Sequence, residues 1–452
     1  MGGGGRIVAS GQRVSRAEAR QIARRLRDAG HQVVFAGGAV RDRLLRRRGG
    51  DVDVATSASP VEVMALFEKT VAVGEAFGVV KVVLEGADYD VATFRKDIGI
   101  GDGRHPLAVE PATLEEDVQR RDFTINGLVE DPFSGEILDM VGGRADLEAG
   151  VVRAIGDPAL RFAEDGLRLL RGVRFAGRFG FSLEPRTAAA MRAARGRLTD
   201  ISGERIRDEL GKMLVDRNRV RTLEMLDGLD LLACILPEAV AMHGVEQPPD
   251  FHPEGDVWVH TMLALGFLPA RPSFELALGT LLHDVGKPPT LVRAPDRIRF
   301  DGHVELGASM AADICGRLRM SRASTERVVA LVRDHLIFKD VPAMRPARLR
   351  RLMAADHFDE LLVLYRADCK ACHGLLTALP RIHAMRRDLA DEALVPPPLL
   401  TGKDVLACGV RSGPRVGELL REAADLQLEG ELDDREAALR WLDARVSSAG
   451  SS

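Results

Sequence analysis

The chain has 452 residues, 46% of them hydrophobic and 29% charged, with a formal net charge of -4. This length predicts several domains, and the composition is typical of soluble globular proteins. The sequence has no apolar run long enough to span a membrane and no apolar signal-peptide core, so we expect no membrane association. The five cysteines fit a reducing compartment, and we therefore expect a cytoplasmic protein.

The first part of the chain predicts short strands alternating with helices. Residues 15–30 predict an amphipathic helix and residues 32–36 a strand. A further helix follows Ser59, and residues 77–84 and 88–94 predict two more strands. This order indicates an α/β head with a mixed sheet, which we place at residues 1–150.

The most informative stretch of the head is Gly37 to Thr56, GGAVRDRLLRRRGGDVDVAT. The glycine pair follows an apolar strand and precedes a helix start at Arg41, where backbone N–H groups can approach a phosphate. Asp51 and Asp53 alternate with valine, so a strand would direct both carboxylates to one face. A hard cation such as Mg²⁺ would relieve their repulsion. The alternative for this pair alone is a solvated strand edge.

Asp90 lies on the third predicted strand and is the candidate third carboxylate of a two-metal centre; the alternative is a turn-capping residue. Residues 97–106 are polar and glycine-rich and predict a flexible loop. Arg121 and Asp122 suggest an anion site at a chain reversal, although the two could instead pair with each other.

From about residue 157 the pattern becomes helical, and we expect a helical segment at 151–235. Residues 161–180 predict one helix, on which Asp165, Arg168, Arg171 and Arg174 recur at steps of three and form one stripe. Such a stripe is either a solvated face or an anion site, and an Asp beside an Arg can present an acceptor and a donor to a base edge.

A second constellation of histidines and aspartates follows on predicted helices. A lone histidine is usually a core residue, but this set has the composition of a site for one or two divalent metals. We expect a helical domain at 236–385 and a helical tail at 386–452. The candidate ligands are His260, His283, Asp284, His303, His335 and Asp368.

These residues resemble, in order and spacing, the class II branch of the DNA polymerase β-like nucleotidyltransferases, which contains tRNA CCA-adding enzymes and bacterial poly(A) polymerases. The later His/Asp set resembles an HD domain, which accompanies this head in some bacterial CCA-adding enzymes. The matching motifs are GGAVRD at 37–42, DVDVATSASP at 51–60, TFR at 93–95, RRDFTINGL at 120–128, DMVGG at 139–143, EDGLRLLRGVRF at 164–175 and ISGERIRDEL at 201–210.

The resemblance implies an α+β fold and assigns a role to each matching residue. Asp51 and Asp53 match the Mg²⁺ carboxylates and Asp90 the third acid. Asp165 and Arg168 match the pair that reads the incoming base without a template. The remaining matches are Gly38, Arg41 and Arg121 for the triphosphate, Arg171 and Arg174 for the nucleotide site, His260, His283, Asp284 and Asp368 for a second divalent metal in the HD domain, and His303 and His335 for a further metal or a phosphate.

The implied activity is the addition of C, C and A to the tRNA 3′ end from CTP and ATP, with release of pyrophosphate. The loop departs from the family pattern at Ile100, Gly103 and His105, yet its length favours complete CCA or A addition over CC addition. The alternatives are a poly(A) polymerase, an enzyme that adds only the terminal A, and an HD phosphohydrolase with an RNA-binding head. The oligomeric state is left open.

Overall fold

The computed structural model describes residues 15–47, 52–72, 78–99, 108–249, 252–295, 297–389 and 393–449. The chain divides into two compact units, residues 1–240 and 241–452. Within the described residues, no helix combines the length and apolar character needed to cross a membrane.

The first unit begins as a mixed head and continues as helices. Its helices are α1 (Arg16–Asp28), α2 (Gly38–Leu44), α3 (Pro60–Leu66), α4 (Leu114–Gln119), α5 (Gly143–Ala149), α6 (Pro158–Glu164), α7 (Leu167–Phe179), α8 (Pro185–Ala193), α9 (Gly203–Leu214), α10 (Arg219–Gly228), α11 (Leu232–Ile235) and α12 (Pro237–Val240). Its strands are β1 (Val33–Ala36), β2 (Asp53–Thr56), β3 (Thr70–Ala72), β4 (Val79–Leu84), β5 (Ala87–Thr93), β6 (Arg95–Ile98), β7 (Ala108–Pro111), β8 (Val129–Glu130), β9 (Ile137–Leu138), β10 (Val151–Val152) and β11 (Ser182–Leu183).

A seven-stranded sheet in the order β3-β4-β5-β2-β1-β8-β9 forms the head. The β2–β5 pair is parallel, whereas β1–β2 and β4–β5 are antiparallel, which confirms the predicted mixed sheet. One face of β1 and β2 packs in a buried cluster with Leu114 and Val118 of α4. On the opposite face, Arg16 of α1 lies over the Phe35 ring. The sheet is therefore covered on both faces.

Local sequence explains where several elements begin. Ser59 caps α3 in a capping box with Glu62, as predicted, and Thr113 caps α4 in the same way with Glu116. Helix α2 begins at Gly38, three residues earlier than predicted, because the Gly37 turn itself supplies the helix entry. Strands β6 and β7 pair antiparallel. The prediction of a loop at 97–106 is wrong for Asp97 and Ile98, which belong to β6 because their backbone pairs with β7. The rest of that loop from residue 100 onward, including Ile100, Gly103 and His105, lies outside the described residues.

The second unit is almost entirely helical. Its helices are α13 (Val257–Gly266), α14 (Phe274–Leu282), α15 (Lys287–Thr290), α16 (His303–Arg317), α17 (Arg322–Asp334), α18 (Pro346–Met353), α19 (Phe358–Ala371), α20 (Leu379–Asp388), α21 (Gly402–Ala407), α22 (Pro414–Glu429) and α23 (Arg435–Ala449), with a small hairpin of β12 (Val292–Arg293) and β13 (Ile298–Arg299). Helix α13 packs on α19 and α14 on α17. The last three helices share a small core that includes Val405, Leu419 and Leu442.

Candidate active site

The turn after β1 meets the start of β2 at one end of the sheet. Ala36, the last residue of β1, pairs with Asp53, the first residue of β2. Gly37 has φ of +70°, a value that glycine adopts without strain. A Cβ added at Gly37 would lie 3.2 Å from Asp53 Oδ2 and 3.8 Å from Arg121 Nη1. The turn therefore places the Gly37 backbone, the Asp53 carboxylate and the Arg121 guanidinium close together.

Asp90 occupies the position next to Asp53 on the neighbouring strand. Val54 and Val91 are paired in the parallel β2–β5 ladder, so the two aspartates precede the same pair and their side chains share a face. Asp90 is half exposed, and Lys81 Nζ lies 3.1 Å from its Oδ1. Asp51, the other predicted carboxylate, lies outside the described residues.

A cavity of about 520 Å³ opens beside this end of the sheet and continues between α2, α7 and α9. Every residue predicted to bind the nucleotide contributes to its wall. Its lining includes eight arginines and three aspartates, an excess of positive charge that suits a polyanion. The lining residues are Gly37, Gly38, Arg41, Asp53, Arg120, Arg121, Asp122, Asn126, Asp165, Leu167, Arg168, Arg171, Arg174, Phe175, Arg178 and Arg205.

The arginines are held by carboxylates from other elements. Arg171 Nη2 lies 2.6 Å from Asp122 Oδ2, and this ion pair outweighs burial and keeps the pKa of Asp122 below its ordinary value. Arg121 pairs instead with Asp117 at 2.9 Å. The suggested Arg121–Asp122 pair is therefore wrong, because adjacent residues at this chain reversal face different helices.

Phenylalanine rings support the same arginines. The Arg41 guanidinium lies 5.0 Å from the Phe175 ring centre and 4.7 Å from that of Phe179. Arg41 is buried, and burial lowers its pKa from the usual value even though Asp42 lies beside it. These contacts hold the guanidinium in place in the cavity wall beside Gly38.

Asp165 and Arg168 also line the cavity. The predicted single helix at 161–180 is interrupted, and Asp165 stands in extended conformation between α6 and α7. Its Oδ1 accepts a hydrogen bond of 3.0 Å from Leu167 N, which caps the first turn of α7. The expectation that Asp165 shares a helical stripe with the arginines is wrong for this residue, and the three arginines alone lie on α7.

Several lining residues had no predicted role at the nucleotide, among them Asn126, Arg178 and Arg205. Asn126 Nδ2 donates to Asp122 Oδ1 at 2.9 Å. Arg178 follows Arg174 by four residues, about one helical turn; the step of three that defined the stripe falls on Gly177 instead and misses it. Arg205 lies on α9 within the quoted motif at 201–210, and only packing reveals its partner.

The second unit brings all six predicted histidine and aspartate ligands together. His260 Nε2 lies 3.0 Å from Asp368 Oδ1 and 3.3 Å from His283 Nε2. Asp284 reaches two sides, since its Oδ2 lies 3.3 Å from His283 Nε2 and its Oδ1 lies 3.7 Å from His335 Nε2 and 3.9 Å from His303 Nε2.

These side chains form two groups with metal-ligand composition and spacing, His260–His283–Asp368 and Asp284–His303–His335. In each of His283, His303 and His335, Nδ1 lies 2.7 Å from a backbone carbonyl oxygen. A hydrogen bond there fixes the tautomer in which Nε2 is the available donor atom. His303 Nε2 is buried without a hydrogen-bond partner among the described residues, as a ligand atom would be.

The carboxylates of this centre attract positive charge. Burial disfavours charge on His260, but hydrogen bonds with Asp368 and Glu254 outweigh it and raise the pKa of His260 to about 9. Burial lowers the pKa of His335 to about 4, which keeps this ring neutral and able to ligate. Lys287 Nζ lies 2.7 Å from Asp284 Oδ2, so a lysine three residues after the aspartate also belongs to the centre.

Glu254 and His252 stand behind the first group. Glu254 Oε1 lies 2.6 Å from His260 Nδ1 and 3.0 Å from His252 Nδ1. The carboxylate therefore orients the His260 ring from the side opposite its Nε2. Neither residue had a role predicted from the sequence.

Comparisons with known proteins agree with this arrangement. The Poly A polymerase head domain matches residues 33–153, the "Probable RNA and SrmB- binding site of polymerase A" matches residues 180–242, and the HD domain matches residues 263–361. The A-adding tRNA nucleotidyltransferase of Deinococcus radiodurans is 36% identical over 439 residues, which cover 92% of this chain and 96% of that protein. This chain belongs to the tRNA nucleotidyltransferase family.

Other members of the tRNA nucleotidyltransferase family are similar over the whole chain. The CCA-adding enzyme of Lactobacillus johnsonii is 32% identical over 430 residues, covering 92% of this chain and 94% of that protein. The crystal structure of the Bacillus stearothermophilus CCA-adding enzyme in complex with CTP superposes with a TM-score of 0.75 at 28% identity, covering 96% of this chain and 98% of that one. The predicted α+β head with a helical HD body is confirmed.

Proposed function

We propose that this enzyme adds C, C and A to the 3′ end of tRNA from CTP and ATP, without a nucleic-acid template. The observation that carries the proposal is the arginine-lined cavity, whose wall contains the Gly37 turn and Asp53 together with Asp165 and Arg168. That arrangement offers contacts to a triphosphate and to a base within one cleft. Because the proposed substrate is tRNA, we also propose that the enzyme works in the cytoplasm.

The proposed reaction joins the tRNA 3′ oxygen to the α-phosphorus of the nucleotide and breaks its bond to pyrophosphate. Asp53, Asp90 and Asp51 would hold Mg²⁺, and the exposed carboxylates of Asp53 and Asp90 fit a hard cation. When bound, the metal supplies stabilisation of the charge on the attacking and leaving oxygens. A carboxylate of this set accepts the proton of the attacking hydroxyl.

The remaining lining residues position the nucleotide. Backbone N–H groups at Gly37 and Gly38 and the guanidinium groups of Arg41, Arg121, Arg171 and Arg174 bind the triphosphate. Asp165 accepts a hydrogen bond from the exocyclic amine that cytosine and adenine share, and Arg168 donates to a ring acceptor. The tRNA itself is held by shape and backbone contacts.

Addition of A alone is the second candidate function, since the similar Deinococcus radiodurans enzyme is an A-adding tRNA nucleotidyltransferase. The discriminating assay uses three tRNA primers that lack CCA, CA or A, with CTP and ATP offered separately and together. Complete CCA on all three supports the main proposal. Addition of A only to the CC-ending primer supports the second candidate, and long A tails on unrelated RNA would indicate poly(A) synthesis.

The roles of the carboxylates are tested by substitution. Asp90→Asn should abolish nucleotide incorporation by the full-length enzyme, as should Asp53→Asn. Asp88→Asn is the matched control, because Asp88 lies two residues earlier on β5 and is also exposed. Equal activity of the Asp88 and Asp90 variants would contradict the role of Asp90.

We further propose that the second unit is a metal-dependent phosphohydrolase of the HD type. His260, His283, Asp284 and Asp368 would hold one divalent metal, and His303 and His335 with Asp284 a second; the metal's identity is open. His283→Ala should remove bound metal and phosphatase activity while nucleotide incorporation continues. Phosphatase activity in the Asp53→Asn variant, with no incorporation by the wild type, would instead support an HD phosphohydrolase with an RNA-binding head.

The proposed division of labour follows the expected segments. Residues 1–150 carry the catalytic carboxylates and 151–235 the base-reading and arginine side chains. Residues 236–385 form the HD domain and 386–452 the tail. Expression of these segments alone and in pairs, with nucleotide binding as the readout, tests whether the first two are required together.

A further inference from the structure

Arg205 contacts Asp165, the acid that we propose reads the base. Its Nη2 donates to Asp165 Oδ2 at 2.9 Å and to Oδ1 at 3.2 Å. The two side chains are about equally shielded, with 20% and 22% of their surface exposed. Arg205 also lines the cavity, and its side chain joins α9 to the Asp165 carboxylate.

The orientation of the Asp165 carboxylate depends on such contacts. Asp165 has φ of -149° and ψ of 107° and lies in extended conformation between two helices. Its Oδ1 accepts from Leu167 N and from Arg205, while Oδ2 accepts from Arg205. Since each carboxylate oxygen can accept about two hydrogen bonds, Oδ2 retains capacity for a donor on a base.

Helix α9 holds a second residue of the same wall. Glu209, four residues after Arg205, accepts from Arg174 Nε at 2.5 Å in a buried ion pair. Residues four apart lie on one face of a helix, so a single face of α9 contacts both Asp165 and Arg174. Packing of α9 on α7 therefore sets the positions of the Asp165 and Arg174 side chains in the cavity wall.

We propose that Arg205 is a positioning residue that sets base selectivity by aiming the Asp165 carboxylate at the exocyclic amine of the incoming nucleotide. The inference rests on the proposed function of this cavity. Cytosine and adenine present an amino group at this edge, whereas uracil and guanine present a carbonyl oxygen. A fixed Asp165 carboxylate accepts a hydrogen bond from the amino group of cytosine or adenine and repels the carbonyl oxygen of uracil or guanine. A carboxylate that is free to turn discriminates less between these bases.

The test compares four nucleotides on full-length enzyme and a tRNA primer under single-turnover conditions. Arg205→Met should reduce the preference for CTP and ATP over UTP and GTP by about 10- to 100-fold, the range that one bidentate base contact supplies. Arg205→Lys keeps a charged donor and should recover part of the preference. Arg207→Met is the matched control, since Arg207 pairs with Asp208 at 2.8 Å and does not line the cavity.

A double variant separates positioning from a general structural effect. If Arg205 acts through Asp165, the selectivity of Arg205→Met with Asp165→Asn should equal that of Asp165→Asn alone. Equal loss of rate for all four nucleotides, with unchanged preference in the Met and Lys variants, would overturn the inference. Absence of incorporation by the wild-type enzyme would refute the proposed function itself, which keeps the two failures distinct.

Discussion

Replacement of Gly37 by alanine tests whether the turn, Asp53 and Arg121 work as one unit. The added Cβ would stand 3.2 Å from Asp53 Oδ2, closer than an ordinary van der Waals contact, so the carboxylate must move by a few tenths of an ångström. A misplacement of about 1 Å in an active site costs roughly 100-fold in rate. We therefore expect kcat for nucleotide incorporation to fall by roughly four- to tenfold.

Backbone strain accompanies this change and needs its own control. Gly37 has φ of +70° and Gly156 has φ of +69°, but nothing lies within 4 Å of a Cβ added at Gly156. A residue with a Cβ costs about 1–2 kcal/mol even in the left-handed helical region, and Gly37, with ψ of -137°, lies outside that region, so Gly37→Ala should lose at least roughly 2–8 °C in Tm. Gly156→Ala introduces a Cβ at positive φ without the intrusion on Asp53.

The assay is single-turnover incorporation of CMP into a tRNA that lacks CCA, across a range of Mg²⁺ concentrations. Gly37→Ala should require more Mg²⁺ for half-maximal rate, because the displaced carboxylate is one of the proposed ligands. Gly156→Ala should behave as the wild type. Equal kcat and equal Mg²⁺ dependence in both variants would refute the reasoning, since Asp53 would then tolerate displacement.

Three further predictions concern other parts of the chain. Gly286→Ala should lower the metal content measured by elemental analysis, because the added Cβ would stand 2.1 Å from the backbone oxygen of His303, a proposed metal ligand at the start of α16. Gly316→Ala is the control and should keep the metal, because nothing lies within 4 Å of a Cβ added at this position on α16. Glu209→Gln should cost about 3–5 kcal/mol in urea unfolding, because a buried guanidinium loses its charged partner; a much smaller loss would contradict the burial of that pair. The chain has two tyrosines, so the Tyr365→Phe variant retains Tyr89 alone. Burial and hydrogen bonding raise the pKa of Tyr89 to about 12. The absorbance titration of this variant should therefore have its midpoint near pH 12. This folded-state pKa lies above the unfolded value of about 10. The contribution of protonated Tyr89 to folding stability is therefore complete below about pH 10 and is lost as the pH rises through 12. Ionisation of Tyr89 near pH 10 in the folded protein would contradict the prediction.

Local patterns determined most of the elements and the membership of both sites. Alternation placed Asp53 and Asp90 on strands, and Ser59 before a proline marked the start of α3, because strand periodicity and helix capping act within a few residues. The seven predicted nucleotide-site residues all line one cavity, and the six predicted histidine and aspartate ligands all meet in one centre. Family resemblance in the motifs supplied the roles that periodicity alone left open.

Only the tertiary structure decided which charged groups pair and where a helix breaks. Arg121 pairs with Asp117 and Arg171 with Asp122, while Asp165 leaves the helical stripe and meets Arg205 from α9. These partners are chosen by packing: the Arg171–Asp122 and Arg205–Asp165 contacts join residues 49 and 40 positions apart. Composition and spacing within one segment carry no information about such distances, so the arginines could be found from the sequence and their partners could not.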